Sequence, residues 1–429
     1  MKVLFVYAAF DRHAASNPEL LEFVPMNEYL GSPSLGIASL AACTPPDWTI
    51  EYRDDRIVPA DVPTDADLVA LSFFTPAATR GMALADYFRA HGKPVVAGGL
   101  FPTMMPEVVG HHVDAVVVGE GEGVWPTVLA DAAAGRLKPR YNAAPVDLTT
   151  VPLPRVDLYF GTGADDYPLQ VSRGCAMTCQ ACAIPGVMDR HIRTFSLDHV
   201  LGQLEQLTRA GVRGCLTEDT GWFPGAAHRR MSELFDAVIA RAAVAGGTAA
   251  QISYAGISMP MILATSTSFL QKAKTAGVDM FYLVGGFDPV TTRAFTGQDA
   301  KALARAEAAI AKCHDVGIEP YTSFLIGLDD DDEGTVDRML DFADRSGIRK
   351  AEFAIFTPYP GTPSWYRLLT EDRILHRDWS KYNDANVVFQ PAKMSPEALH
   401  AAYIRLWREF YAGRGHLADL PLFERTIQF

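Results

Sequence analysis

The chain has 429 residues, 48% hydrophobic and 21% charged, a balance that excludes intrinsic disorder for the chain as a whole. Its 51 acidic and 38 basic residues leave a net charge of −13, which argues against a phosphate-backbone partner and so against nucleic acid. At roughly 150 residues per domain the length suggests two or three domains.

No run of about 18 apolar residues occurs, so no bilayer-spanning helix and no membrane partner are expected. The opening Lys2-Val3-Leu4-Phe5-Val6-Tyr7 has the look of a short signal sequence, but it runs into Asp11-Arg12-His13 without a small-residue cleavage site. It reads better as the first buried strand of a cytoplasmic α/β domain.

Short β-branched runs predict strands over Lys2–Tyr7, Thr49–Arg53, Leu68–Ser72, Pro94–Ala97 and Ala115–Val118. Helical patterns fall between them, near Leu35–Ala42, Thr79–Ala90 and Val124–Ala134. Such alternation predicts a Rossmann-like, doubly wound parallel sheet over residues 1–140. Ligands of these sheets sit beyond the C-terminal ends of the strands. Those ends are Ala8–His13, Ser72–Pro76, Gly98–Pro102 and Gly119–Gly123, and three of them are rich in Gly, Ser or Thr, so that a ligand can come close to the backbone.

A proline-rich stretch marks a linker over 141–160. Beyond it strands are predicted over Leu169–Ser172, Gly214–Glu218, Gln251–Tyr254, Met280–Val284, Thr322–Gly327 and Ala351–Phe356. Helices are predicted over Leu197–Ala210, Ala226–Ala240, Ser268–Ala276, Ala300–Val316 and Gly334–Ser346. Six units are too few for a complete eight-stranded barrel and predict a partial (βα)6 barrel over 161–362. The remainder, 363–429, carries a helix over Pro396–Tyr411 and reads as a small, mainly helical closing subdomain. Its Trp365, Tyr366, Trp379 and Tyr382 either line a substrate cavity or pack that subdomain.

The sharpest signal is Cys175, Cys179 and Cys182, spaced Cys-x3-Cys-x2-Cys just after a predicted strand. Three thiolates on one loop suit three irons of a [4Fe–4S] cube, with the fourth iron left open. A structural all-cysteine zinc site wants a fourth cysteine nearby, and none follows; zinc with a fourth ligand of another type stays open on the residues alone. Cys43, Cys215 and Cys313 sit in apolar surroundings and read as core thiols.

This spacing at the start of a βα barrel resembles the radical S-adenosylmethionine (SAM) enzymes. The N-terminal region is similar to the cobalamin-binding domain of one large branch, at Ser34-Leu35-Gly36-Ile37-Ala38-Ser39-Leu40-Ala41, Val96-Ala97-Gly98-Gly99 and Val117-Val118-Gly119-Glu120-Gly121-Glu122. So is Thr357-Pro358-Tyr359-Pro360-Gly361-Thr362-Pro363 after the sixth barrel strand. The resemblance implies that Cys175, Cys179 and Cys182 bind the cluster and that SAM chelates its fourth iron. Reductive cleavage of SAM then gives methionine and a 5′-deoxyadenosyl radical, with the electron coming from a partner such as a flavodoxin or ferredoxin.

On the same resemblance Ala181 lies near the adenine, where relatives carry an aromatic residue. Glu218 and Asp219 are candidates for the SAM amino group and Ser253 for the ribose. Relatives often end the fourth barrel strand in glycine-x-glutamate, where this chain reads Val284-Gly285-Gly286-Phe287-Asp288. Cobalamin would lie against Ser72, Thr75, Gly98, Gly99, Pro102, Gly119, Glu120 and Gly121. Asp11-x-His13-x-x-Ser16 is similar to the Asp-x-His-x-x-Gly motif whose histidine ligates cobalt, with Ser16 in place of the glycine, which makes His13 a candidate cobalt ligand.

The activity implied is methylation of an unactivated carbon or phosphorus of a small molecule. Three alternatives stand beside it: radical cyclisation or rearrangement without methyl transfer, a radical SAM enzyme with an empty N-terminal domain, and a non-catalytic iron–sulfur redox sensor.

Overall fold

The structure, a computed structural model, describes residues 1–26, 35–161, 166–216, 219–244, 252–284 and 291–420. The first domain is a six-stranded parallel sheet in the order β2-β1-β3-β4-β5-β6. Its strands are β1 (Lys2–Tyr7), β2 (Thr49–Asp54), β3 (Leu68–Ser72), β4 (Val95–Gly98), β5 (Ala115–Val118) and β6 (Arg140–Asn142). All of β1 beyond Lys2 is buried, as in a strand covered on both faces by helices. Helices Leu35–Ala42, Ala78–Ala90 and Trp125–Ala133 supply that cover.

β6 falls at the start of the predicted linker. It pairs with Val116–Val118 at the sheet edge and buries only Tyr141, so its three residues carry no readable hydrophobic pattern.

A second parallel sheet runs β14-β13-β12-β11-β10-β7. Its members are β7 (Asp166–Pro168), β10 (Arg213–Leu216), β11 (Ile252–Ile257), β12 (Met280–Val284), β13 (Glu319–Ile326) and β14 (Lys350–Ile355). Helices alternate with them, and their ends are fixed by local chemistry. Helix Leu197–Ala210 opens on Ser196, whose hydroxyl accepts from His199 N–H, and closes on Gly211 at φ +72°. Helix Pro396–Tyr411 opens on Ser395, with Pro396 in its first turn.

The first barrel strand lies upstream of the predicted Leu169–Ser172. Ladder pairing with β10 covers Asp166–Pro168, and Leu169 N–H still donates to the Cys215 carbonyl at 2.9 Å. The chain then leaves the sheet. β8 (Ser172–Arg173) pairs antiparallel with β9 (Arg193–Thr194) in a separate two-stranded stem. The alternation of buried Tyr167, Leu169 and Val171 continues through this departure, which is why the run reads as one strand.

The C-terminal segment grips both domains. Trp365, Trp379 and Tyr382 are buried in the core of the first domain, with Trp379 5.2 Å from Phe101 between ring centroids. Tyr366 is 58% exposed and belongs to neither core. Helix Pro396–Tyr411 packs on the barrel, where Trp407 and Phe410 meet Phe353 at 5.3 and 5.4 Å. In return Ala14, Leu20, Phe23 and Val24, which follow β1, are buried in the barrel-side core.

Among the described residues no helix is long and apolar enough to cross a membrane. In the acidic run Asp329–Glu333 after β13, Asp331 is buried and accepts from the N–H groups of Gly327 and Leu328 at 2.7 and 2.8 Å.

Candidate functional site

A mainly apolar cavity of about 260 Å³ lies where the two domains meet. The C-terminal ends of β3, β4 and β5 form one wall, with Ser72, Gly98, Gly99, Gly119, Glu120 and Gly121. Leu35, Phe73, Val117 and Trp125 add apolar surface, and Gln170, Arg173, Val187 and Met188 close the barrel side. Parallel strands put their loops on this edge, so the position follows from topology. Gly99 sits at φ +97°, and a Cβ there would lie 3.0 Å from the Phe73 carbonyl oxygen, so only glycine fits without strain. A Cβ at Gly98 would meet nothing nearer than Val117 at 3.7 Å, leaving its approach to the cavity open.

Two of the eight residues expected against cobalamin stand off this wall. Thr75 opens the 3-10 turn Thr75–Ala77 and Pro102 lies in helix Leu100–Met104. Both loops turn helical within a few residues of the strand end, which carries these side chains into the core, where both are buried.

His13 is also absent from the wall. It is buried, at φ +42°, in the turn His13–Ala15. Its Nδ1 lies 2.7 Å from the Tyr403 hydroxyl and its ring is 5.1 Å from Trp407, edge-on. Burial, with Arg12 beside it, holds its pKa well below the ordinary imidazole value. These contacts place the ring in the packing between the first domain and the C-terminal helix, not under a ligand in the cavity.

The three cysteines occupy the loop closed by the β8–β9 stem. Gly174, at φ +93°, makes the turn out of β8; a Cβ there would run into the His191 carbonyl. Cys175 N–H donates to the Asp189 carbonyl at 3.1 Å. Cys175, Cys179 and Cys182 are of intermediate burial. Burial pushes the Cys182 thiol upward, and proximity of Cys175 adds to the shift.

Ala181 is buried in the barrel-side core, and its neighbour Gln180 accepts from Ser364 N–H and Oγ–H at 3.0 and 2.8 Å. The start of the C-terminal segment thus anchors the cysteine loop. Cys215 and Cys313 are buried, and burial raises the Cys313 thiol to about 12 and that of half-buried Cys43 to about 11, consistent with inert packing. Among the described residues no group of three His, Cys, Asp or Glu side chains is gathered into a formed metal site. The donor set still fits a cluster with three protein ligands: three partly accessible thiols within eight residues of irregular chain.

The residues expected to touch SAM fare differently. Glu218 lies outside the described residues, and of Asp219 only the backbone is described, opening the turn Asp219–Trp222. Ser253 is misplaced by the sequence reading. β11 runs on to Ile257, so Ser253 stands at the strand's N-terminal end, with its hydroxyl facing the Gly214 carbonyl at 3.4 Å. The barrel mouth is at the other end.

Sequence reasoning missed the arginines of the stem. Arg173 Nη1 lies 2.7 Å from Glu122 Oε1 and 3.6 Å from Glu120 Oε2. Arg193 forks onto both oxygens of Glu120, at 3.0 Å from Nη1 to Oε2. The available signal was an arginine beside the Gly-Cys turn and a Glu-x-Glu at a strand end, two features that only tertiary structure brings together.

The chain thus joins a parallel α/β domain to a second parallel sheet alternating with helices, with a three-cysteine loop at their junction. The chain is 28% identical to bacteriochlorophyllide d C-12(1)-methyltransferase of Chlorobaculum tepidum over 85% of this chain and 80% of the relative. It is 26% identical to the C-8(2)-methyltransferase of the same organism over 88% of this chain and 85% of the relative. Hopanoid C-2 methylase of Rhodopseudomonas palustris is 23% identical over 95% of this chain and 76% of the relative. No protein-family model matches. In fold the chain is similar to the radical SAM methyltransferase TsrM from Kitasatospora setae, solved with cobalamin and a [4Fe-4S] cluster bound, with a TM-score of 0.68 at 15% identity over 98% of this chain and 91% of TsrM.

Proposed function

We propose that the chain is a cobalamin-dependent radical SAM methyltransferase acting on an unactivated carbon of a small molecule. One observation carries the reading: the cavity at the strand ends of the first domain opens onto the segment that bears the three cysteines, through Arg173 on one side and Val187 and Met188 on the other. Two cofactors that must act on one substrate carbon need such adjacent seats. The methyltransferase names of the sequence relatives support the same reading.

When bound, the cluster would supply one-electron reduction of SAM, and cobalamin would carry the methyl group. The chain's own residues bind and enclose. Cys175, Cys179 and Cys182 hold the cluster. Gly98, Gly99 and Gly119–Gly121 offer backbone to the cobalamin, and the apolar wall excludes water from it. Six residues at strand ends thus replace the eight expected from sequence, without Thr75 and Pro102. The electron donor is a small redox protein of the flavodoxin or ferredoxin kind, and the enzyme works in the cytoplasm, where thiols stay reduced.

The test is the fate of SAM. Methyl transfer by this route consumes two molecules per turnover, one ending as S-adenosylhomocysteine and one as 5′-deoxyadenosine plus methionine. Both should accumulate in about equal amounts with methylated product, and deuterium at the target carbon should appear in 5′-deoxyadenosine. Substrate turnover with 5′-deoxyadenosine but no S-adenosylhomocysteine would favour cyclisation or rearrangement instead. No reductive cleavage of SAM would point to a redox sensor.

A further inference from the structure

The stem of the cysteine loop contains an electrostatic conflict. Arg173 and Arg193 are direct cross-strand partners in the two-residue ladder β8–β9. Like charges opposite each other in an antiparallel pair repel, and a ladder of two residues sets few strand bonds against that repulsion. The compensation comes from the other domain. Glu120 and Glu122 leave the end of β5 and meet these arginines with side chains only 6% and 8% exposed, against 8% for Arg173 and 21% for Arg193.

Glu120 is the keystone of this group. It takes the fork of Arg193, lies 3.6 Å from Arg173, and accepts Val146 N–H at 3.0 Å. Arg193 continues onto the carbonyls of Val146 at 2.7 Å and Met188 at 3.1 Å, so one side chain joins the interdomain segment, the cysteine loop and the strand end. Two carboxylates and two guanidiniums balance to zero net charge. Without the carboxylates, two partly buried cations would face each other in low dielectric.

We infer that Glu120, with Glu122, is a positioning residue for the cysteine loop: docking of the first domain neutralises the opposed arginines and holds the stem of residues 172–194 closed. The three thiols are then presented only when the cavity-bearing domain is in place. The consequence for the metal rests on the reading of Cys175, Cys179 and Cys182 as cluster ligands; the consequence for the stem does not.

Amide hydrogen exchange on the metal-free, full-length protein tests this. E120Q keeps the shape and an acceptor but removes the charge, and should speed exchange within 172–194 by at least tenfold. β3 and β5 should stay protected. Adding R193Q removes the repulsion itself, so E120Q/R193Q should exchange more slowly in this segment than E120Q alone. Simple loss of contacts predicts the opposite order. Unchanged exchange in E120Q, or a double variant at least as exposed as E120Q, overturns the inference. Should E120Q unfold the first domain, E122Q serves instead. It removes the charge of the carboxylate 2.7 Å from Arg173 and leaves both arginines in place, and unchanged exchange within 172–194 there overturns the inference equally.

After anaerobic iron–sulfur reconstitution, the rate of iron loss to a chelator should follow the same order, with E120Q at least tenfold faster than wild type. A wild type that takes up no iron overturns the cluster reading of the preceding section, while the exchange result still decides this one.

Discussion

The ring of His13 lies between the Tyr403 hydroxyl and the edge of Trp407, buried on every side. Its pKa is lowered because burial and Arg12 disfavour the cation. The unfolded chain therefore binds a proton that the folded one refuses, near the ordinary histidine value of about 6.5. Stability from this group is complete above about pH 6.5 and is lost as pH falls below it. Between pH 7.5 and 5.5 the loss should be of order 1 kcal/mol, read from urea midpoints, and His13→Gln should shrink it. Cobalamin retention should survive His13→Ala, since the ring is not on the cavity wall.

The thiols divide by environment at this same scale. Alanine at Cys175, Cys179 or Cys182 should remove most of the iron from reconstituted protein, whereas alanine at Cys313 should leave the iron content at wild-type level. Cys313 is buried in a helix with its thiol raised to about 12, a poor metal ligand. Elemental analysis of the four variants decides between them, and full iron in any of the first three removes that residue from the ligand set.

Among the elements, β4 and its turn carry the most informative pair of positions. Gly99 is held at positive φ against the Phe73 carbonyl, so a side chain there strains the fold whether or not a ligand is bound. Gly98 has ordinary room for a Cβ and lines the cavity. Gly98→Val should therefore leave the far-ultraviolet circular dichroism and melting temperature close to wild type while abolishing retention of cobalamin, measured by absorbance after gel filtration. Gly99→Val should lose both stability and retention. Retention of cobalamin by Gly98→Val would show that this edge is not its seat. The β8–β9 stem is the other decisive element, and it was hidden in sequence because Leu169 and Val171 continue the alternation of β7 up to Ser172.

The whole molecule is held by exchange of segments. Residues after β1 pack in the barrel-side core, and Trp365, Trp379 and Tyr382 pack in that of the first domain. Between them lies a largely buried charge group drawn from three segments. Arg12 is 3.1 Å from Asp384 and 3.8 Å from Glu352, with the Tyr359 hydroxyl donating to Asp384 at 2.7 Å and the Tyr282 hydroxyl to Glu352. Such a group is costly to separate, because each charge would be left buried without its partner. The two domains should therefore unfold in one transition. Trp379→Ala, which removes a ring packed on Phe101, Trp365 and Tyr382, should cost about 3–5 kcal/mol and lower that single transition. Calorimetry showing two well-separated transitions in the wild type would contradict this coupling.

The sequence alone determined the elements whose pattern is local. Strands Lys2–Tyr7, Leu68–Ser72, Ala115–Val118 and Met280–Val284 and helices Leu197–Ala210 and Pro396–Tyr411 stand where the residue pattern put them. Burial on both faces and a capping serine are written within a few adjacent residues. The cysteine spacing is equally local, and so the candidate cluster ligands were legible from one loop. Tertiary structure alone decided which candidates share a site. It turned Ser253 to the closed end of its strand, sent Thr75 and Pro102 into the core, and placed His13 against the C-terminal helix. It also set Glu120 on Arg193, 73 residues away in sequence. Charge pairing across that separation depends on how two sheets are docked, and no local pattern of side chains encodes the docking.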